Sequence, residues 1–176
     1  MKKILSVFLL LTLLLTAFVG CKAEDTPETT APSPLVDPTE PSAVEFSKKG
    51  LKITLPADFE DCTDRPAGRG YTFLYAGPSS GVSGMEEAKD LLPGEVTDLA
   101  SYATFRAERY EVQAAQKDGI WYSVREDLSS NEPQTYISAY FEGDDCYWIV
   151  EAYTPSRVYQ DDPEILWSYV TAVTFE

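Results

Sequence analysis

Few side chains in this sequence are suited to covalent or acid–base chemistry, and the mix is unusual: three cysteines, many carboxylates and no histidine. Without imidazole the usual general base near neutral pH and the commonest metal ligand are missing. That excludes a Ser-His-Asp or Cys-His apparatus within the chain, and with it a conventional catalytic zinc site. Ser79-Ser80-Gly81 has no base beside it, and Gly68-Arg69-Gly70 lacks the pattern of a phosphate loop. The carboxylates are more suggestive. Asp58, Glu60, Asp61 and Asp64 surround a turn, and Asp144-Asp145 and Asp161-Asp162 form further pairs. Oxygen-rich loops bind calcium, but none of these has EF-hand spacing, and acidic residues serve equally well as caps and solvated turn tips. We therefore assign no metal ligand, cofactor or catalytic residue. Two facing carboxylates would in principle hydrolyse a glycoside. An envelope hydrolase using acidic residues is the alternative to the non-catalytic function developed below.

The cysteines divide by position. Cys62 and Cys146 lie far apart in a stretch rich in strand-forming residues. Outside the cell such an even pair suggests a disulfide, closing a loop of about 85 residues worth roughly 4–5 kcal/mol on the chain-entropy account. Two separate buried thiols fit the sequence equally well. Cys21 has a different setting. Met1-Lys2-Lys3 is a short positive start, Ile4 to Val19 is apolar except for Ser6, Thr12 and Thr16, and Gly20 precedes the cysteine. A charged start, an apolar run and a small residue before a cut mark a secretory signal. Phe18-Val19-Gly20-Cys21 resembles the lipobox of bacterial lipoproteins, with Phe18 where that family usually has Leu. The resemblance implies removal of residues 1–20 and lipidation of the Cys21 thiol by diacylglyceryl transfer and fatty acylation of the palmitate kind. Acyl chains contribute about 0.8 kcal/mol per buried methylene, so two of them anchor durably. The expected location is extracytoplasmic and lipid-anchored at the cell membrane.

Residues 21–44 follow as a linker. Pro27, Pro32, Pro34, Pro38 and Pro41 are spaced by Thr, Glu, Asp and Ser. Such a segment buries too little apolar surface to offset its ordering entropy and reads as an extended, partly polyproline-like tether. Its twenty-three residues after Cys21 reach at most roughly 75 Å. Residues 45–176 are long enough for one globular domain with a real core.

Within that domain the large amphipathic rings are the most informative feature. Strict alternation places Ile120, Tyr122 and Val124 on one sheet face with Ile137, Ala139, Phe141, Trp148, Val150 and Ala152. Trp121, Tyr136, Tyr140, Tyr147 and Tyr153 then share the opposite face. These five either pack under a helix or form an aromatic surface for an envelope protein, peptide or glycan.

The elements needed to hold that sheet can be read along the chain. Strands are expected around Phe46–Leu55, Phe59–Asp64 and Tyr71–Tyr75, followed by a long loop from Gly77 to about Glu95, with one turn near Met85–Leu91. Thr97 or Asp98 can cap a helix to about Arg109, with Leu99, Tyr102, Ala103 and Arg106 on one face. Glu111–Gln116, Ile120–Leu128, Gln134–Glu142 and Cys146–Tyr153 form a meander with an Asp118-Gly119 hairpin. A last helix starts at Asp162-Pro163, and Val173-Thr174-Phe175 closes the chain as a strand. The result is an α+β domain, an antiparallel sheet with two main helices packed on it.

Gly50-Leu51-Lys52-Ile53-Thr54-Leu55-Pro56-Ala57-Asp58-Phe59 resembles the opening strand and turn of PsbP-like domains. Val170-Thr171-Ala172-Val173-Thr174-Phe175 is similar to their last helix and closing strand, with the meander between. The resemblance implies an α/β/α sandwich and a mostly non-enzymatic binding or assembly role. The net charge of −15 agrees with a role away from nucleic acid, whose binding needs Lys and Arg at phosphates. It also disfavours anionic lipid heads. Membrane contact is expected only through the lipid on Cys21.

Overall fold

The computed structural model describes residues 43–175. The leader, Cys21 and nearly all of the tether lie outside them.

The first strand, β1 (Val44–Lys48), turns back through Lys49 and Gly50, both at positive φ, into β2 (Leu51–Leu55). β2 also pairs with the closing strand β10 (Val173–Phe175), giving a three-stranded antiparallel sheet. The other strands are β3 (Glu60–Asp61), β4 (Phe73–Ala76), β5 (Gly81–Ala88), β6 (Ala115–Lys117), β7 (Ile120–Asp127), β8 (Gln134–Glu142) and β9 (Cys146–Pro155). They form a seven-stranded antiparallel sheet in the order β3-β4-β5-β9-β8-β7-β6. The β6–β7 hairpin turns at Asp118 and Gly119, both at positive φ, as Asp-Gly favours.

Helix α1 (Leu99–Glu108) covers one face of the large sheet. Asp98 caps it by accepting from the Ser101 amide at 2.8 Å, and the Ser101 hydroxyl accepts from the Asp98 amide at 3.1 Å. This reciprocal pair satisfies two amides that the helix leaves free. Helices α2 (Ser156–Asp161) and α3 (Glu164–Thr171), with the small sheet, cover the other face. The main core lies there: Trp148, Val150, Ile137 and Val82 meet Leu51, Ile53, Leu55, Leu166 and Val170. The expected division of β7–β9 into two faces holds, because side-chain direction along a strand has period two whatever packs on it.

Four expectations need correction. Gly81–Ala88 is a full strand inside the large sheet, not part of a loop. Its Gly-Val-Ser-Gly start shows no apolar alternation because the sheet needs small residues there. A methyl at Gly81 would lie 2.2 Å from Tyr153 ring atoms, and one at Gly84 would lie 2.0 Å from Phe73. The strand expected at Glu111–Gln116 is only Ala115–Lys117, because Glu111 turns at φ 57 on leaving α1. The final helix is preceded by a second one, Ser156–Asp161, whose six residues are too few to show a readable period. β9 runs on to Pro155, past Tyr153.

Candidate functional site

The five aromatic residues expected on one face do share it, but α1 divides them. Tyr140 and Tyr147 are 1% and 3% exposed, so neither belongs to a surface; this corrects the expected contact patch. Tyr147 stacks on Tyr102 of α1 at 4.4 Å, and Tyr140 meets the same ring edge-on at 6.0 Å. Trp121 is half-buried against this cluster. The helix comes close because Ala103 and Ala107 face the sheet. It is fixed there by Glu87, which accepts from the Tyr102 hydroxyl at 2.7 Å and from Arg106 Nη1 at 2.9 Å. Tyr136 and Tyr153 lie beyond the helix and stay partly exposed.

Strand register explains what surrounds those two. Arg125, Tyr136, Tyr153, Gly81 and Ala76 are direct cross-strand partners in one row from β7 to β4. Cross-strand neighbours on one face are close enough to touch, and here they stack. The Arg125 guanidinium lies 3.7 Å from the Tyr136 ring centre and 4.6 Å from that of Tyr110, at the end of α1. Tyr136 stacks in turn on Tyr153 at 5.4 Å and 30°. Tyr110, Arg125, Tyr136 and Tyr153 thus form a continuous cation–aromatic stack. Tyr153, its outer end, leans over Gly81, where no side chain larger than hydrogen leaves room.

The next row inward is Ser123, Ser138, Glu151, Ser83 and Leu74. Glu151 is 4% exposed in the middle of β9. Its Oε1 accepts from the Ser138 hydroxyl at 2.7 Å and pairs with Arg125 Nη2 at 3.5 Å. A buried carboxylate requires such partners, so Glu151 holds the guanidinium at the depth where it sandwiches between rings. Burial raises the phenols of Tyr71, Tyr136 and Tyr153 above their ordinary value near 10. The Glu151 charge adds to this at Tyr71, while Arg125 opposes it at Tyr71 and Tyr136. At neutral pH all three therefore present neutral hydroxyls, each able to donate and accept.

The outer end of the stack opens onto a pocket of about 360 Å³. Tyr153 forms one wall, the Gly77–Ser80 turn another, and Gln134, Glu132, Pro155 and Arg157 the rest. Arg157 Nε donates to Glu132 Oε1 at 3.0 Å. Thr154, fully buried, donates to the Ser79 carbonyl at 3.0 Å and fixes the turn. This is the concave place where an aromatic wall and a few polar groups converge, as small-ligand sites do.

Other expected residues lie apart from it. Cys62 and Cys146 are free and buried, so the bridge that the sequence left open is not formed. The Cys62 amide bonds to the Leu74 carbonyl, three strands away from β9 and five positions along from Cys146. That is roughly 20 Å at ordinary sheet spacing, well beyond bridging distance. Burial, with Asp145 beside it, raises the Cys146 thiol. In the acidic turn, Asp61 accepts from the Thr63 amide and Glu60 pairs with Arg65. Arg125 and Glu151 were not singled out in the sequence. The available signal was a lone glutamate inside the apolar run Trp148-Ile149-Val150-Glu151-Ala152-Tyr153, on the face that alternation assigns to the tyrosines.

No family model matches this chain, and no curated protein matches it either. Solved structures do. The solution structure of cyanobacterial PsbP (CyanoP) from Synechocystis sp. PCC 6803 is 8% identical, with TM-score 0.53, over 84% of this chain and 99% of that one. A crystal structure from Bacteroides thetaiotaomicron VPI-5482 is 11% identical, with TM-score 0.50, over 77% of this chain. The match spans about half of that protein, 49%. At such identities the likeness is one of fold, and it agrees with the layers described above: this is an α+β domain with the PsbP-like fold.

Proposed function

We propose that this protein is a lipid-anchored extracytoplasmic binding protein of the cell envelope. In this reading residues 1–20 are removed as a signal peptide and Cys21 carries the lipid. The linker read at residues 22–44, whose last residue Val44 already opens β1, sets the PsbP-like domain at a distance from the bilayer, and the uncovered end of its aromatic face meets a ligand. One observation supports the binding role above others: the Tyr110–Arg125–Tyr136–Tyr153 stack ends at an open, polar-lined pocket. Rings locked by their neighbours offer contact area with little entropy left to lose on association. The acidic charge of the chain keeps anionic polymers away. The anchor itself rests on the Lys2-Lys3, apolar-run and Gly20-Cys21 pattern.

The test of anchoring is Cys21→Ser in cells fed a labelled fatty acid. The expected result is loss of acyl label and transfer of the protein from the membrane to the soluble fraction. Retained label and retained membrane association would refute the lipoprotein reading. For binding, a photo-crosslinking residue at position 134 should give a discrete adduct in intact envelopes, which the same residue at the buried position 140 should not.

A further inference from the structure

We infer that the pocket at Tyr153 takes a neutral saccharide; this rests on the binding role proposed above and specifies its ligand. A sugar ring has two kinds of surface. Its C–H faces are apolar and stack on aromatic rings, while its rim carries hydroxyls that donate and accept together. The pocket supplies both counterparts. Tyr153 is an aromatic wall whose position is fixed on one side by Tyr136, 5.4 Å away. On the other side it leans over Gly81, where a methyl would come within 2.2 Å. A ring so held is a rigid part of the pocket wall, not a mobile side chain. Around it, Gln134 offers an amide with both donor and acceptor ends. Glu132 and Arg157 offer a carboxylate and a guanidinium joined at 3.0 Å. These planar groups fit the paired hydroxyls of a sugar.

Charge selects among sugars. Glu132 and Arg157 cancel each other within the pocket, so it has no surplus charge to attract an ion. An anionic saccharide would meet both Glu132 and the field of a chain carrying −15. A cationic ligand would meet Arg157 and find Glu132 already paired with it. A hydroxyl serves both members of the pair without bringing a charge.

The test uses the full-length chain with tyrosine rings isotopically labelled, titrated with cellotetraose, chitotetraose, maltotetraose and mannotetraose, and with tetragalacturonate as the anionic counterpart. The expected result is saturable binding of at least one neutral tetrasaccharide that shifts the Tyr153 ring signals, with none for tetragalacturonate. Tyr153→Ala should weaken it about tenfold, the scale of one lost aromatic contact, and Tyr140→Phe should leave it unchanged. Because Tyr153→Ala also disturbs the stack, Arg157→Ala at a well-exposed side chain provides a second variant. It should weaken binding without shifting thermal unfolding. No binding of any neutral tetrasaccharide at about 10 mM overturns the inference. So does equal or tighter binding of tetragalacturonate, or binding indifferent to both variants. If the saccharides fail while the crosslinker at position 134 captures a protein, the glycan inference falls and the binding role stands. If both fail, both fall.

Discussion

Gly81→Ala tests the packing that holds the candidate site. The new methyl carbon would lie 2.2 Å from Cζ and Oη of Tyr153, whereas unstrained carbon contacts lie at about 3.5–4.0 Å. The ring has to withdraw by about 1.5 Å. It cannot move toward Tyr136, already stacked at 5.4 Å, so it must swing outward and give up the stack. Overpacking of this kind costs about 1–3 kcal/mol, and the lost aromatic pair adds about 0.5–1.5 kcal/mol. Against this, Gly81 lies in a strand without positive φ, so alanine recovers about 0.5–1 kcal/mol of backbone entropy. The balance is a destabilisation of about 2 kcal/mol. Urea unfolding followed by tryptophan fluorescence should show it as a lower midpoint with an unchanged slope. In a Tyr153→Ala background the obstacle is gone, and the same substitution should become neutral or slightly stabilising. The coupling between the two sites in a double-mutant cycle should therefore be about 2 kcal/mol. Gly94→Ala, where nothing lies within 4 Å, is the control and should be nearly silent. A neutral Gly81→Ala, or a penalty that persists without the Tyr153 ring, would refute the reasoning.

Glu151→Ala should cost about 3 kcal/mol, because it leaves Arg125 largely buried without its carboxylate; a loss under about 1 kcal/mol in urea unfolding would deny the pair its role. Tyr102→Phe removes the hydroxyl that donates to Glu87 and should cost about 1–2 kcal/mol, read as a lower thermal midpoint. Burial raises the phenols of Tyr102, Tyr140 and Tyr153 in the folded state. The folded protein then holds these protons more tightly than the unfolded chain, so their contribution is fully present below about pH 10 and is lost as pH rises above it. Stability measured from pH 8 to 12 should be flat at first and then fall. A rise above pH 10 would reverse the sign of the argument. Cys62 and Cys146 should both titrate as free thiols after unfolding without reductant, and react slowly with a soluble thiol reagent beforehand; recovery of neither thiol would restore the bridge.

Features that depend on nearest neighbours along the chain are legible from the residues alone. Alternation through Ile120–Leu128, Gln134–Glu142 and Cys146–Tyr153 assigned the apolar and aromatic side chains of the central meander to their faces, because strand direction reverses with each residue regardless of packing. Thr97 or Asp98 announced the helix, which Asp98 caps, and Asp118-Gly119 the hairpin it turns, since both act through their own backbone. How far one layer extends over another is set only when the segments pack together. Helix α1 buries Tyr140 and Tyr147 beneath Tyr102 and stops short of Tyr136 and Tyr153, so residues indistinguishable by alternation divide into core and site. Register across β7, β8 and β9 placed Arg125 beside Tyr136 and one row from Glu151, a pairing set by hairpin geometry over some twenty-five residues of chain. Gly81–Ala88 reads as a loop alone and is a strand in place, because its missing side chains make room for Phe73 and Tyr153. Local sequence carries the direction of a side chain; whether that direction ends in solvent, in a neighbour's ring or against a charge is fixed by the segments that pack on it.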